Sequence, residues 1–166
     1  MSEYQIETLE EEKQQYIVVK LGDEQYGLDI SYIDNIVVMQ KITRVPKAPE
    51  YYAGVINLRG EVVPVMSAHR KMGLGDDTIT KATRIIILKL EVQGLVGILV
   101  DEVREVVTLG ESEIDRSAQN KKNQSTFING IGKNGEDLIS LFDITALIDQ
   151  VDGPISPERK LPICQK

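Results

Sequence analysis

A hydrolase or transferase needs a nucleophile, a base and a group that orients the base, and this 166-residue sequence supplies few candidates. Its one histidine, His69, stands at the start of a short helical pattern at 68–72. Nothing in the sequence around it provides a nucleophile or an orienting partner, so it reads as a surface or interface histidine. The single cysteine, Cys164, can form no intrachain disulfide, and no paired Cys or Cys/His spacing suits zinc. Acidic clusters at 10–12 and 76–77 lack the glycine-interrupted pattern of a calcium loop and read as solvated charge. Gly130-Ile131-Gly132-Lys133-Asn134-Gly135 fits a dinucleotide fingerprint, but that motif needs a long helix after it to receive the pyrophosphate. Here Asn134-Gly135 reads as a primed hairpin turn, and Asp137 to Phe142 alternates like a returning strand. The expectation is a protein without catalytic residues, metal or cofactor.

One residue invites a different chemistry. Arg59 falls at a tight turn between two apolar runs, with Gly60 beside it. A guanidinium fixed on a rigid turn aims its fork at a carboxylate across an interface; otherwise it is an exposed turn arginine. Pro64, which lacks an N–H, marks its strand as an edge or bulged strand, and edges of small sheets are docking sites.

Charge narrows the partners. With 19 Lys+Arg against 26 Asp+Glu, the net charge is 19 − 26 = −7, whereas backbone binders of nucleic acid are basic. Five of the six tyrosines lie between 16 and 52, so a ligand- or oligonucleotide-binding barrel is the alternative to a protein-binding one. The acidic first 14 residues carry no basic and apolar signal pattern, and no apolar run approaches the ~20 residues of a membrane span. A reducing cytoplasm is the expected location. Residues 1–14 and 151–166, charged or rich in proline, are expected to be flexible tails.

The elements that must position Arg59 are strands. Apolar, β-branched runs at 16–21, 25–30, 54–58, 61–66, 84–90, 95–100 and 138–142 are separated by glycine and polar turns. They fall into an internal repeat. Shifted by 70, Tyr16-Ile17-Val18 meets Ile86-Ile87-Leu88, Gly27-Leu28 meets Gly97-Ile98, Ser31 meets Asp101, Ile33 meets Val103, and Ile36-Val37 meets Val106-Val107. Shifted by 76, Gly54-Val55 meets Gly130-Ile131, and Ser67 meets Asp143. Both residues of that last pair are N-cap types, opening helices at 68–72 and 144–148. About five short strands per half bury one face only by curling into a barrel. The reading is an all-β fold of two five-stranded barrels packed side by side, at about 15–80 and 81–150, with exchange of strands between them left open.

The residues around Arg59 carry a resemblance. Tyr26-Gly27-Leu28-Asp29-Ile30, Ile42-Thr43-Arg44-Val45-Pro46, Gly54-Val55-Ile56-Asn57-Leu58-Arg59-Gly60 with Val63-Pro64-Val65, and Val96-Gly97-Ile98-Leu99-Val100-Asp101 with Val103 occur in this order. Over residues 14–150 the chain resembles the CheW family, the coupling proteins of bacterial chemotaxis. The resemblance implies a non-enzymatic scaffold of two SH3-like barrels. It would join the regulatory domain of the histidine kinase CheA to the cytoplasmic tips of chemoreceptors, at the inner face of the membrane, without inserting into it. It implies a receptor groove involving Ile33, Asn35, Gly54, Arg59, Gly60, Ile85, Ile86 and Val103. Kinase contacts, or ring contacts with further copies of the chain, would involve Ile42, Thr43, Arg44, Asp115 and Arg116, the last two in a loop at 110–126. Three departures stand out. Asn35 replaces a glutamate thought to pair with the arginine, which would redirect Arg59 to Asp34. Ser67-Ala68-His69 replaces Asp-Leu-Arg. Residues 119–124 are all amides and lysines where ring-forming members carry an aromatic.

Overall fold

The computed structural model describes residues 12–116 and 127–152. Eleven strands fall in chain order: β1 (Lys13–Leu21), β2 (Glu24–Asp29), β3 (Ile33–Val38), β4 (Tyr52–Leu58), β5 (Glu61–Ser67), β6 (Arg84–Leu90), β7 (Gly94–Val100), β8 (Glu102–Gly110), β9 (Ile114–Asp115), β10 (Ile128–Asn134) and β11 (Asp137–Phe142). Two helices, α1 (Ala68–Lys71) and α2 (Ile144–Asp152), follow β5 and β11. Strands at 13 and a helix reaching 152 take in residues assigned to the tails. Residues 1–11 and 153–166, Cys164 among them, and the 119–124 stretch lie outside the described residues.

The strands form two sheets, ordered β8-β1-β2-β11-β10-β9 and β3-β6-β7-β5-β4. Replacing each strand of the second sheet by its repeat mate gives β8-β1-β2-β11-β10, which is the first sheet without β9. The repeat is therefore carried into three dimensions with an exchange: the β1–β2 hairpin joins strands of the second half, and β6–β7 joins strands of the first. The sheets do not coincide with the halves 15–80 and 81–150. One sheet also has a sixth strand, because Ile114–Asp115, expected in a loop, pairs with β10.

Each sheet curls on itself. In the β3 sheet the chain beyond β3 returns to β4, where Thr43 and Val55 exchange backbone hydrogen bonds of 2.9 and 2.8 Å. In the other, β10 approaches β8 so closely that a Cβ on Gly132 would lie 2.6 Å from Leu109. Alternation then sorts side chains into three cores. Tyr16 and Val18 of β1 point into the first barrel with Val107, Leu109, Ile139 and Leu141. Ile85 and Ile87 of β6 point into the second with Val63, Val65 and Leu99. The intervening Ile17, Val19, Ile86 and Leu88 meet in a central core between the barrels. α2 adds Ile144, Leu147 and Ile148, spaced i, i+3, i+4, to that same core.

Two glycines permit the crossing of parallel strands. Gly27 pairs with Leu141, and Gly97 with Val65. A Cβ at either would sit 2.8 Å from a core side chain, Leu141 or Ile85. Pro64 is explained by the same parallel pairing. β5 lies inside its sheet, but its contact with β7 begins at Val65, so the 61–64 half is a local edge needing no N–H. The glycine-rich 130–135 stretch is the β10–β11 hairpin, with Asn134 opposite Asp137. Its turn centres on Gly135-Glu136, one residue later than the sequence suggested, and only Gly135 has positive φ (66°), as a II′ turn requires.

Candidate interaction groove

The chain passes between the barrels only twice among the described residues: from β2 to β3 through a turn at Ile30–Tyr32, and from β7 directly to β8 at Asp101. Asp29 secures the first crossing, its Oδ1 accepting from the Ser31 amide at 3.0 Å and hydroxyl at 2.9 Å. Each crossing leads into an edge strand, β3 on one barrel and β8 on the other. Ile33 and Val103 follow the two crossings directly; both are half-buried and lean on the central core. Ile36, half-buried on the same core, and Val106, 50% exposed, extend these strands outward. The outcome is two apolar rims flanking the seam between the barrels.

Arg59 stands beside the β3 rim. Arg59 and Gly60 have φ of 52° and 86°, the two positive values of a type I′ turn. Asn57 braces the turn, its Oδ1 accepting the Gly60 amide at 3.0 Å. The guanidinium, 67% exposed, lies 3.8 Å from Asp34, as the departure at Asn35 suggested. An exposed pair of this length contributes about 0.2–1 kcal/mol, so it orients the arginine without consuming it. Asn35 itself faces inward, and its Oδ1 is buried with no partner among the described residues.

The other residues expected around the groove have different duties. Ile85 and Ile86 are fully buried, one in the second barrel and one in the central core, so they back the seam and present nothing to a partner. Gly54 is buried at φ 144°, and a Cβ there would lie 2.3 Å from the Thr43 carbonyl oxygen; it lets the barrel close.

The residues expected to meet a kinase lie elsewhere. Thr43 and Arg44 are exposed and Ile42 is half-buried. They lie by an open cleft of about 360 Å³ lined by Gln40, Lys41, Thr43, Asn57 and Val62. Asp115 is exposed on β9. Arg116 is held by Glu111 at 2.7 Å and donates to the Asn129 carbonyl at 3.0 Å; the Glu111 hydrogen bond raises its pKa above the usual arginine value. Arg116 thus braces the β8–β10 end of its barrel. Val62 and Leu138, equivalent under the 76-residue shift, are 62% and 63% exposed on matching hairpins of the two barrels.

His69 is where the sequence reading fell short. It is buried, not at the surface, and its Nε2 lies 2.9 and 3.1 Å from the two carboxylate oxygens of Asp101. Its partner is 32 residues away, and the only hint was the alignment of Asp101 with the capping Ser31. Lys71, two residues on, sits 4.0 Å from the Tyr51 ring and 5.4 Å from the Phe127 ring; burial lowers its pKa. α1 therefore stands between residues of both barrels. The only histidine of the chain is thus engaged by a carboxylate.

A family model described as a CheW-like domain matches residues 15–152. The chain is 35% identical over 136 residues to the chemotaxis protein CheW of Bacillus subtilis, covering 81% of this chain and 86% of that one. It is 32% identical over 136 residues to the CheW protein of Klebsiella aerogenes, covering 81% of each. Among solved structures, the scaffolding protein TtCheW of Thermoanaerobacter tengcongensis matches with a TM-score of 0.73 and 32% identity, over 80% of this chain and 90% of that one. With the paired barrels, the exchanged hairpins and a family match spanning both, the chain belongs to the CheW family.

Proposed function

We propose that this chain is a non-catalytic chemotaxis adaptor. In this reading its inter-barrel groove receives the tip of a chemoreceptor, and its barrel ends engage the regulatory domain of the kinase CheA. It works in the cytoplasm, brought to the inner face of the membrane by the receptors it binds. The observation that carries the reading is the groove: two edge strands bring the half-buried Ile33 and Val103 and the exposed Val106 to one seam, with Arg59 turned outward beside them. A helical hairpin with an apolar stripe fits such a seam, and one fixed arginine at the edge sets its orientation.

The barrel ends supply separate surface. Val62 and Leu138 repeat the same exposed apolar position on each barrel, which suits pseudo-symmetric, head-to-tail contacts with a domain of like fold. Arg116, paired with Glu111 and bonded to the Asn129 carbonyl, lies at the other end of β10 from Leu138. Affinity capture of the Ile33→Asp variant tests the division. Capture by a receptor-tip fragment falls at least tenfold while capture by the CheA regulatory domain stays within twofold. Equal loss of both would mean that the surfaces are not separate.

A further inference from the structure

The second crossing is held by a buried histidine facing a carboxylate. Asp101 is the one residue between β7 and β8. Its amide donates to the Lys20 carbonyl at 3.1 Å, its Oδ2 accepts from the Gly22 amide at 2.8 Å, and both carboxylate oxygens face His69 Nε2. The contacts thus join the β1–β2 turn of one barrel to α1, which caps β5 of the other. Val103, a rim residue of the groove, is two positions further on. We propose that the His69–Asp101 pair is a proton-dependent latch that positions the β8 rim of the groove, so that His69 is a positioning residue for partner binding.

The surrounding charges are otherwise engaged or exposed. On α1, Arg70 pairs with Asp76 at 3.4 Å, and Lys71 lies over the Tyr51 ring. In the loop after α1, Asp77 accepts from the Ser67 hydroxyl at 2.6 Å. Glu102, next to Asp101, lies 3.8 Å from Arg104, and Asp23 and Glu24 beyond Gly22 are exposed. Asp101 is therefore the carboxylate whose distance to the ring makes protonation matter.

Histidine gains and loses its charge between about pH 5 and 8. The neutral ring with its proton on Nε2 donates an ordinary hydrogen bond; the imidazolium donates a charge-assisted one, roughly twice as strong. His69 Nδ1 is buried without a partner among the described residues. Left unpaired, it costs more as a donor on the charged ring than as an acceptor on the neutral one; in the proposed latch the charge-assisted contact with both Asp101 oxygens outweighs that cost. The latch tightens on acidification.

The groove part rests on the function proposed above; the latch itself does not, and the two are read separately. Because the chain has one histidine, its ring gives a single NMR titration, and the Gly22 amide reports on the shared carboxylate. From pH 8 to pH 5.5 the Gly22 amide resonance should move with the His69 ring curve. That correlated movement should vanish in Asp101→Asn, which keeps an acceptor for Gly22, and in His69→Arg, whose charge does not change. A Gly22 resonance that ignores the histidine, or that moves equally in the variants, overturns the latch. Affinity for a receptor-tip fragment should rise about fivefold over the same range in the natural chain and stay flat in His69→Arg. A natural chain as flat as the variant overturns the groove coupling. Absence of receptor binding at every pH overturns the functional reading, while the Gly22 measurement still decides the latch.

Discussion

Replacing Arg59 with aspartate separates anchoring from folding. The arginine occupies the first central position of a type I′ turn at φ 52°, held by the Asn57–Gly60 hydrogen bond, which the substitution leaves in place. Aspartate is among the residues that enter the left-handed region most readily, so the turn tolerates it at least as well as arginine. The charge effect is small. The Asp34 contact is 3.8 Å long and the arginine 67% exposed, so losing the attraction and adding a repulsion together cost about 1 kcal/mol or less. For a domain of this size that lowers Tm by no more than about 4 °C. Binding responds differently, because reversing a charged anchor at an interface costs about 2–4 kcal/mol, or 30-fold and more. Thermal unfolding and affinity capture by a receptor-tip fragment, on the same preparation, give both numbers. A folding loss above about 3 kcal/mol would make Arg59 a structural residue, and unchanged capture would remove it from the groove.

Other outcomes follow from packing and ionisation. Gly54→Ala should cost about 3 kcal/mol or more in urea unfolding, because both the φ of 144° and a Cβ 2.3 Å from the Thr43 carbonyl oxygen oppose it; a loss below 1 kcal/mol would mean that the β3–β4 closure is easily deformed. Burial raises the pKa of Tyr16 and of Tyr26. The folded chain therefore holds these protons to higher pH than the unfolded chain, and stability should fall as pH rises above about 10. Phenolate absorbance during alkaline titration checks this, with two tyrosines ionising late in the folded protein and with the others once it is unfolded in urea.

Much of the architecture was legible in the order of apolar runs, because the repeat aligned strand with strand and cap with cap. The exchange of hairpins was not. Alternation tells which side of a strand is apolar, and both Ile17 and Tyr16 are, but not which sheet the strand joins. The same ambiguity misplaced Ile85 and Ile86. A strand buried between a barrel interior and a shared wall is apolar on both faces, and nothing local distinguishes that from a strand offering one face to a partner. Arg59 was legible because a tight turn between two strands exposes whatever it carries. The capping roles of Ser67 and Asp143 were legible too, and their side chains accept the Arg70 and Ala146 amides. His69 was not, since burial and an ion partner depend on a crossing that only the folded chain creates.

In the proposed function one chain holds two different proteins at once through separate surfaces. Sedimentation of this chain with a receptor-tip fragment and the CheA regulatory domain, mixed singly and together, tests it most directly. A three-component species in which each partner is retained at its own stoichiometry is expected. Displacement of one partner by the other, with no species heavier than either pair, would contradict it.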